Sequence, residues 1–308
     1  SSIYFGLVFV FVMNRSKILN LIGKFLTPFI IIILLAVIFV GVTTTPSAIN
    51  PSSFDTPFVN GLLEGYQTFD AIGAIVVGGV LVISMNFKKD TSFAVKKELI
   101  SKAGIVAGIG LLIIYAGLIY SGVQFSTTFA KEATRTEILS GLSTQTLGKI
   151  GTTFLSVLVA LACFTTGVGI ITGTADYFKG LFKNSQKAYI ITAIIGCLLG
   201  VLIGQFDVHY IIVIALPALM FIYPITIVLI LLNVMPKKWA SPAIFKAVVG
   251  VTFLFSIPDF LKFIINPKSL EGIQNIIPFS QHSLGWVLPA VIIFIIVNVL
   301  KKFTTTNA

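Results

Sequence analysis

The sequence predicts an all-α integral membrane protein, and three observations carry this prediction. Hydrophobic residues make up 56% of the 308 residues and charged residues only 10%, whereas a soluble domain of this size has roughly 25% charged residues. The mean hydropathy is +1.02. Apolar runs long enough to cross about 30 Å of hydrocarbon as helices recur along the whole chain. We therefore expect one transmembrane domain over residues 1–308, crossing the membrane several times.

The apolar runs, taken in chain order, predict eight full transmembrane helices. They lie near residues 25–44, 58–86, 103–125, 147–175, 188–206, 208–235, 243–262 and 283–300. Residues 3–13 are apolar but too few to cross alone, so they predict a partial helix whose beginning precedes Ser1. The chain is thus expected to be a fragment. A secretory signal is not expected, because the apolar run has neither a basic leader nor a cleavage site.

The basic residues predict the orientation in the membrane. Connections on one side hold most of the 21 Lys and Arg residues, whereas those on the other side hold only Lys131, Arg135, Lys149, Lys262 and Lys268. Because retained basic charge marks the cytoplasmic side, the C-terminus is expected to be cytoplasmic. The net charge of +10 then needs no nucleic-acid partner, since the charges are spread over short loops instead of forming one basic stripe.

Polar residues and glycines interrupt the second predicted span. Within ten residues the chain contains Glu64, Gly65, Gln67, Thr68, Asp70 and Gly73. Ionisable groups inside a membrane are costly unless they face a water-filled site. A broken helix also presents partial charges at its two half-helix ends, which suit the ends of an amino acid or a cation. In the alternative interpretation, Glu64 lies at the outer water boundary and the glycines only permit close packing.

A second polar cluster lies in the fourth predicted span. Thr165 and Thr166 are adjacent, and Thr172, Thr174 and Asp176 follow. Adjacent hydroxyls can coordinate a hard cation such as sodium together with backbone carbonyls, because hard cations prefer oxygen ligands. The alternative is structural, since Ser and Thr in membrane helices often donate to their own i−4 carbonyl or join neighbouring helices.

The sequence contains no motif typical of the active sites of soluble enzymes, so the chain is not expected to be an enzyme. Cys163 and Cys197 each lie inside an apolar run and predict neither a disulfide nor a metal site. His209 and His282 are isolated at span edges. Asp259 follows a proline near a helix end, where we expect a solvated turn residue.

Three segments resemble the branched-chain amino acid:cation symporter family, the bacterial carriers for leucine, isoleucine and valine. They are EGYQTFDAIGAIVVGGVLV at residues 64–82, LACFTTGVGIITGTADYF at 161–178 and MNRSKILNLIGKFLTPFIIIILLAVIF at 13–39. The resemblance runs from Ser1 to the C-terminus. It implies a multi-pass protein of the bacterial plasma membrane that carries these amino acids inward, coupled to sodium or protons, by alternating access.

The resemblance also implies a LeuT-like amino-acid transporter fold, which is built as a five-plus-five inverted repeat of helices. Family members have twelve helices. This chain corresponds to a partial fourth helix through the twelfth and lacks about the first three. The interrupted segment 58–86 then corresponds to the sixth helix, which is discontinuous in this fold.

The resemblance implies two sets of site residues. The expected substrate contacts are Tyr66, Gln67, Thr68, Phe69, Asp70 and Ile72, with Phe69 and Ile72 lining an apolar pocket. Sodium would be held by the carbonyl of Ala162 and the hydroxyls of Thr165 and Thr166, which match the spacing in sodium-coupled relatives of the fold. For Glu64 and Asp70, binding of the substrate ammonium group, proton coupling and structural pairing all stay open.

Two alternatives to this function are kept. The chain could be an inactive truncated remnant, or a scaffold that needs the missing helices from a partner. It could also be a different amino-acid permease of the same fold. In every case the expected partners are the lipid bilayer and, for a carrier, its amino acid, with sodium or a proton as the coupling ion and no other cofactor.

Overall fold

The computed structural model describes residues 1–14, 27–44, 54–86, 92–130, 133–206 and 208–306. Within these ranges the regular structure is entirely helical, as predicted. The α-helices are α1 (Ser2–Met13), α2 (Thr27–Thr43), α3 (Pro57–Tyr66), α4 (Asp70–Asn86), α5 (Phe93–Gln124), α6 (Arg135–Leu181), α7 (Gln186–Ile203), α8 (Val208–Val234), α9 (Pro242–Leu261), α10 (Glu271–Ile276) and α11 (Val287–Thr306). The predicted orientation in the membrane uses the basic residues within 15–26 and 87–91 and Lys131. These residues lie outside the described residues.

Six helical segments of the described chain are long and apolar enough to cross a membrane. They are Pro57–Val82, Phe93–Gln124, Arg135–Leu181, Gln186–Ile203, Tyr210–Val234 and Pro242–Leu261. Helices α1 and α2 are shorter apolar helices. Many large apolar side chains lie on the outer surface, for example Phe39 at 69% exposure and Leu112 at 68%. Such a surface fits an all-α membrane protein, whereas the predicted number of eight full spans is not confirmed.

Helix α6 begins at Arg135, well before the predicted start of its span near residue 147. The reason is a capping box at its first turn. The Glu137 amide donates to the Thr134 hydroxyl at 3.3 Å, and the Thr134 amide donates to the Glu137 carboxylate at 2.8 Å. The helix then kinks at Gly148, whose φ of 69° suits a residue without a side chain.

One compact unit of the chain consists of Ser1–Asp55 and Val76–Leu202. In it α2 packs against α5 and α6, and α1 packs against α6. Its core contains Val8, Val12, Val168, Ile171, Ala175, Tyr189, Ala193 and Cys197. The buried Tyr189 hydroxyl donates to the Val12 carbonyl at 2.8 Å. This bond ties α7 to the end of α1.

Small residues bring α2 and α5 into close contact within this unit. A side chain added at Gly41 would collide with Ser121, and one added at Gly117 would collide with Ile38. Ser121 is fully buried and donates to the Gly117 carbonyl at 2.8 Å. Close approach over small residues is typical of helix packing in membranes, where dispersion contacts between backbones replace the hydrophobic effect.

The other compact unit consists of Thr56–Ile75 and Ile203–Ala308. Here α9 packs against both α8 and α11. The core contains Val228, Leu232, Ile244, Val248, Trp286 and Ala290, and Tyr66 packs against it. The expectation of a single transmembrane domain stays a prediction.

Candidate functional site

The helix predicted over residues 58–86 is broken, as expected. Helix α3 ends at Tyr66 and α4 begins at Asp70. Between them the Thr68 amide donates to the Gly65 carbonyl at 3.3 Å, and the Phe69 amide donates to the Tyr66 carbonyl at 3.4 Å. These are tight-turn bonds in place of the i−4 bonds of a continuous α-helix. The break therefore leaves two half-helix ends, whose partial charges are opposite.

Phe69 makes the turn by adopting a left-handed backbone conformation with a φ of 53°. A side chain in this region costs about 1–2 kcal/mol, because its Cβ crowds the following carbonyl. The neighbouring Tyr223 on α8 offsets this cost. Its ring meets the Phe69 ring edge-on with centroids 5.1 Å apart and the Tyr66 ring with centroids 4.9 Å apart. The two aromatic residues that flank the break thus share one partner.

The six candidate substrate residues lie between positions 66 and 72, around this turn. Tyr66 closes α3, Gln67, Thr68 and Phe69 form the turn, and Asp70 and Ile72 belong to the first turn of α4. Thr68 and Asp70 are exposed, and the other four are partly buried. The Thr68 hydroxyl donates to the Gly65 carbonyl at 2.8 Å. Glu64 is also exposed, near the end of α3. Their roles in binding stay predictions.

A cavity of about 390 Å³ lies beside α3. Its wall consists of Gly61, Leu62, Gly65, Tyr66, Ile227, Leu284 and Trp286. The lining is apolar apart from Tyr66 and Trp286. A Cβ atom added at Gly61 or Gly65 would meet open space, so the glycines widen this cavity. Of the six candidate substrate residues, Tyr66 alone is part of its wall.

The three candidate sodium ligands form a compact set of oxygen atoms on α6. The Thr165 and Thr166 hydroxyls each donate to the carbonyl oxygen of Ala162 at 2.9 Å. This is the back-bonding that the structural alternative predicts for Thr in a membrane helix. A hydroxyl that donates its proton keeps its lone pairs, so the two threonine oxygens still offer lone pairs to a cation, whereas the Ala162 carbonyl already accepts both hydroxyls. The role of these residues as sodium ligands stays a prediction.

The expectation for Asp259 is wrong, because this residue is not a solvated turn residue. It lies in the last turn of α9 and is 2% exposed. Its Oδ1 atom forms an ion pair with Lys262 Nζ at 2.7 Å. Lys262 also donates to the Ser280 carbonyl at 2.8 Å and to the Ser283 hydroxyl at 3.4 Å. The amine thus joins the end of α9 to the segment that leads into α11.

Comparison with known proteins identifies the family. The sequence model of the family described as branched-chain amino acid transport protein matches residues 1–304. The chain belongs to this family. The branched-chain amino acid permease BraB of Bacillus subtilis is 32% identical over 308 residues, which cover 98% of this chain and 68% of that protein. The branched-chain amino acid transport system 2 carrier protein of Pseudomonas aeruginosa is 30% identical, covering 97% of this chain and 69% of its own length.

A third member, the branched-chain amino acid permease BrnQ of Salmonella typhimurium, is 28% identical over 96% of this chain and 68% of its own length. No solved structure gives a significant match to the chain. Membership of a branched-chain amino acid transport family confirms the resemblance found in the sequence, and a family of permeases and carriers agrees with the prediction that the chain is not an enzyme.

The ion pair between Asp259 and Lys262 was not predicted from the sequence. Taken singly, Asp259 fits a turn residue and Lys262 fits a loop lysine. The signal available in the sequence was their i, i+3 spacing next to an apolar helix, since residues at this spacing are neighbours on the helix surface. Charged residues of opposite sign near a membrane helix tend to pair.

Proposed function

We propose that this protein carries leucine, isoleucine and valine into the bacterial cell as a multi-pass protein of the plasma membrane with a cytoplasmic C-terminus. The observation that supports the proposal most strongly is the break at residues 67–69 in a chain of the branched-chain amino acid transport family. An unwound turn between two half-helices presents partial charges of both signs, which can bind the carboxylate and the ammonium group of an amino acid.

In this proposal the substrate binds at the turn. Partial positive charge at the start of α4 attracts its carboxylate and partial negative charge at the end of α3 attracts its ammonium group, because the dipoles of the two half-helices end at the turn. Phe69 and Ile72 line the pocket for its side chain, and Tyr66, Gln67, Thr68 and Asp70 supply the remaining contacts. Glu64 serves in coupling or in structural pairing.

The aliphatic pocket discriminates weakly among the three substrates. One methylene group in an apolar pocket changes binding by about 1–3 kcal/mol. Leucine, isoleucine and valine differ by a single methylene or by its position. A cationic or small amino acid loses more, because a charge is desolvated or the pocket is left unfilled. We therefore expect broad specificity restricted to branched aliphatic substrates.

Uptake is proposed to be coupled to sodium or protons through alternating access in a LeuT-like fold. Ala162, Thr165 and Thr166 are the proposed sodium ligands, since two hydroxyls and a carbonyl supply the oxygen atoms that a hard cation prefers. Coupling to a proton would instead use a carboxylate such as Glu64 or Asp70.

Radiolabelled leucine uptake into proteoliposomes tests the proposal. An inward sodium gradient, an inward proton gradient and no gradient are compared in the same preparation. We expect one gradient to accelerate uptake, and excess valine or isoleucine to compete more strongly than alanine or lysine. Absence of uptake by the folded protein under every gradient would refute the transport function. Equal competition by alanine would refute the branched-chain specificity.

A further inference from the structure

A cavity of about 720 Å³ lies between α11 and the loop that joins α8 to α9. Its volume falls within the range of small-molecule sites, about 300–1,000 Å³. Lys238 and Trp239 line it from the loop, and α11 supplies the rest of its wall. None of the candidate substrate residues belongs to that wall. The cavity is therefore a different place in the fold from the proposed substrate site.

The α11 side of the cavity is one face of the helix. Phe294, Asn298 and Lys302 follow one another at i, i+4 and i+8, and Ile295 and Val299 lie beside them. Residues at this spacing lie one above another on a helix. At about 1.5 Å per residue, the lining from 294 to 302 is about 12 Å long. The cavity wall thus extends along α11 for roughly two turns.

This wall changes from apolar to cationic in the direction of the chain. The α11 residues from 294 to 299 supply three large apolar side chains, and the next turn supplies Lys301 and Lys302. Lys238 adds a third positive charge from the loop. No acidic residue of the described chain lines the cavity. An apolar wall that ends in three lysines is complementary to an amphiphile with an anionic head group.

Asn298 joins the loop to the helix within the wall. Its Nδ2 atom donates to the Phe294 carbonyl at 2.9 Å and to the Trp239 carbonyl at 3.4 Å. The loop itself turns here, since the Trp239 amide donates to the Pro236 carbonyl at 2.8 Å. The Trp239 side chain stays 52% exposed. Exposed tryptophans at the ends of membrane helices typically lie at the level of the lipid head groups.

We propose that this cavity binds one anionic phospholipid of the membrane. Its phosphate lies among Lys238, Lys301 and Lys302, and one acyl chain lies against the apolar part of α11. A lysine ammonium group supplies a compact positive charge and three hydrogen-bond donors, which suit phosphate oxygens. The inference goes beyond amino-acid transport and does not rest on it.

A lipid explains the cavity better than a soluble anion does. Inorganic phosphate would use the lysines and leave the apolar part of the wall unfilled. The three lysines also follow the apolar runs that end near residues 235 and 300, on the side proposed to be cytoplasmic. Basic pockets between helices at this level of a membrane recognise anionic lipid head groups.

Quenching of tryptophan fluorescence measures the binding. Phosphatidylglycerol or phosphatidylcholine with brominated acyl chains is added to the full chain in a neutral detergent. The Trp239→Phe variant gives the signal of Trp286, the other tryptophan of the chain, and the difference is the signal of Trp239. We expect saturable quenching of Trp239, with a dissociation constant about 100-fold lower for phosphatidylglycerol. Each lysine near anionic lipid strengthens binding by about fivefold.

A triple variant tests the three lysines. Lys238→Gln, Lys301→Gln and Lys302→Gln are combined, and the variant should bind phosphatidylglycerol no more tightly than phosphatidylcholine. The matched control removes three exposed lysines that do not line the cavity and should keep the wild-type preference. It combines Lys183→Gln, Lys187→Gln and Lys246→Gln.

Three results would overturn the inference. The first is equal binding of the two lipids by the wild-type protein, a comparison that does not depend on whether the lysine variants fold. The second is an equal loss of preference in the triple variant and its control, which would indicate a general effect of net charge. The third is displacement of phosphatidylglycerol by inorganic phosphate at a concentration similar to that of the lipid, which would indicate a site for soluble anions.

Discussion

The ring of Phe69 meets the ring of Tyr223 edge-on, with centroids 5.1 Å apart and planes at 83°. Phe69 carries the left-handed backbone conformation that turns the chain between α3 and α4. Tyr223 also contacts Tyr66 on the other side of the turn, with centroids 4.9 Å apart. A residue of α8 therefore holds both ends of the break in place.

Removing the Tyr223 ring should loosen this turn. Each edge-to-face aromatic pair contributes about 0.5–1.5 kcal/mol beyond the area that it buries, and Tyr223→Ala removes two of them. We expect the variant to lose leucine affinity by about tenfold, because the turn must be reordered when substrate binds. Tyr223→Phe keeps both ring contacts and should bind leucine as the wild-type protein does. Equal binding by the alanine variant would show that the aromatic contacts do not shape the site.

The hydroxyl pair on α6 gives a prediction about the coupling ion. Thr165→Ala combined with Thr166→Ala removes two of the three proposed oxygen ligands, so the sodium concentration for half-maximal uptake should rise. Thr174→Ala is the matched control, because Thr174 lies on the same helix and donates to the Ile170 carbonyl at 2.9 Å in the same way. An unchanged sodium dependence in the double variant would favour the purely structural role of these threonines.

The close contact between α2 and α5 predicts a packing defect. A methyl group at Gly41 would collide with the Ser121 side chain, which is fully buried. Gly41→Ala should therefore destabilise the protein by about 1–3 kcal/mol, the usual cost of overpacking. The measurement is the apparent melting temperature in detergent. Gly108→Ala, where the added Cβ meets open space, should not lower it, and a similar loss in both variants would contradict the packing explanation.

The hydrogen bond between Tyr189 and Val12 gives a separate stability prediction. Tyr189→Phe leaves the Val12 carbonyl without its side-chain donor in a buried core, and the expected loss is about 1–3 kcal/mol. Tyr177→Phe is the control, because Tyr177 is 66% exposed. Both variants are compared by thermal unfolding in detergent. A melting temperature for Tyr189→Phe equal to that of the control would show that this bond does not secure α1.

The sequence predicted the helical membrane character and the break because both depend on local composition. The length of an apolar run decides whether a helix can span the membrane. The segment from Glu64 to Gly73 contains the glycines and polar residues that weaken a helix. The burial of Asp259 could not be predicted in the same way. It depends on how α9 packs against α11 and on the segment that carries Ser280 and Ser283, which approach Lys262 from 18 and 21 residues away.

The start of α6 is only partly predictable from the sequence. The capping-box pattern is present, with Thr134 three residues before Glu137, yet the apolar pattern alone predicts that the span starts near residue 147. Hydropathy locates the part of a helix that can lie in lipid, whereas caps locate where the helix begins. The two signals differ here because the first turns of α6, up to the kink at Gly148, are polar.

Substrate protection of a single cysteine in the turn tests the central claim most directly. Cys163 and Cys197 are replaced, and Thr68→Cys is introduced, since Thr68 is exposed within the break. Thr128→Cys, exposed in a short turn after α5, is the control. Leucine should slow the reaction of a thiol reagent at position 68 but not at 128, and lysine should protect neither. Labelling at position 68 that is unchanged by leucine, at concentrations that saturate uptake, would contradict binding of the substrate at the break.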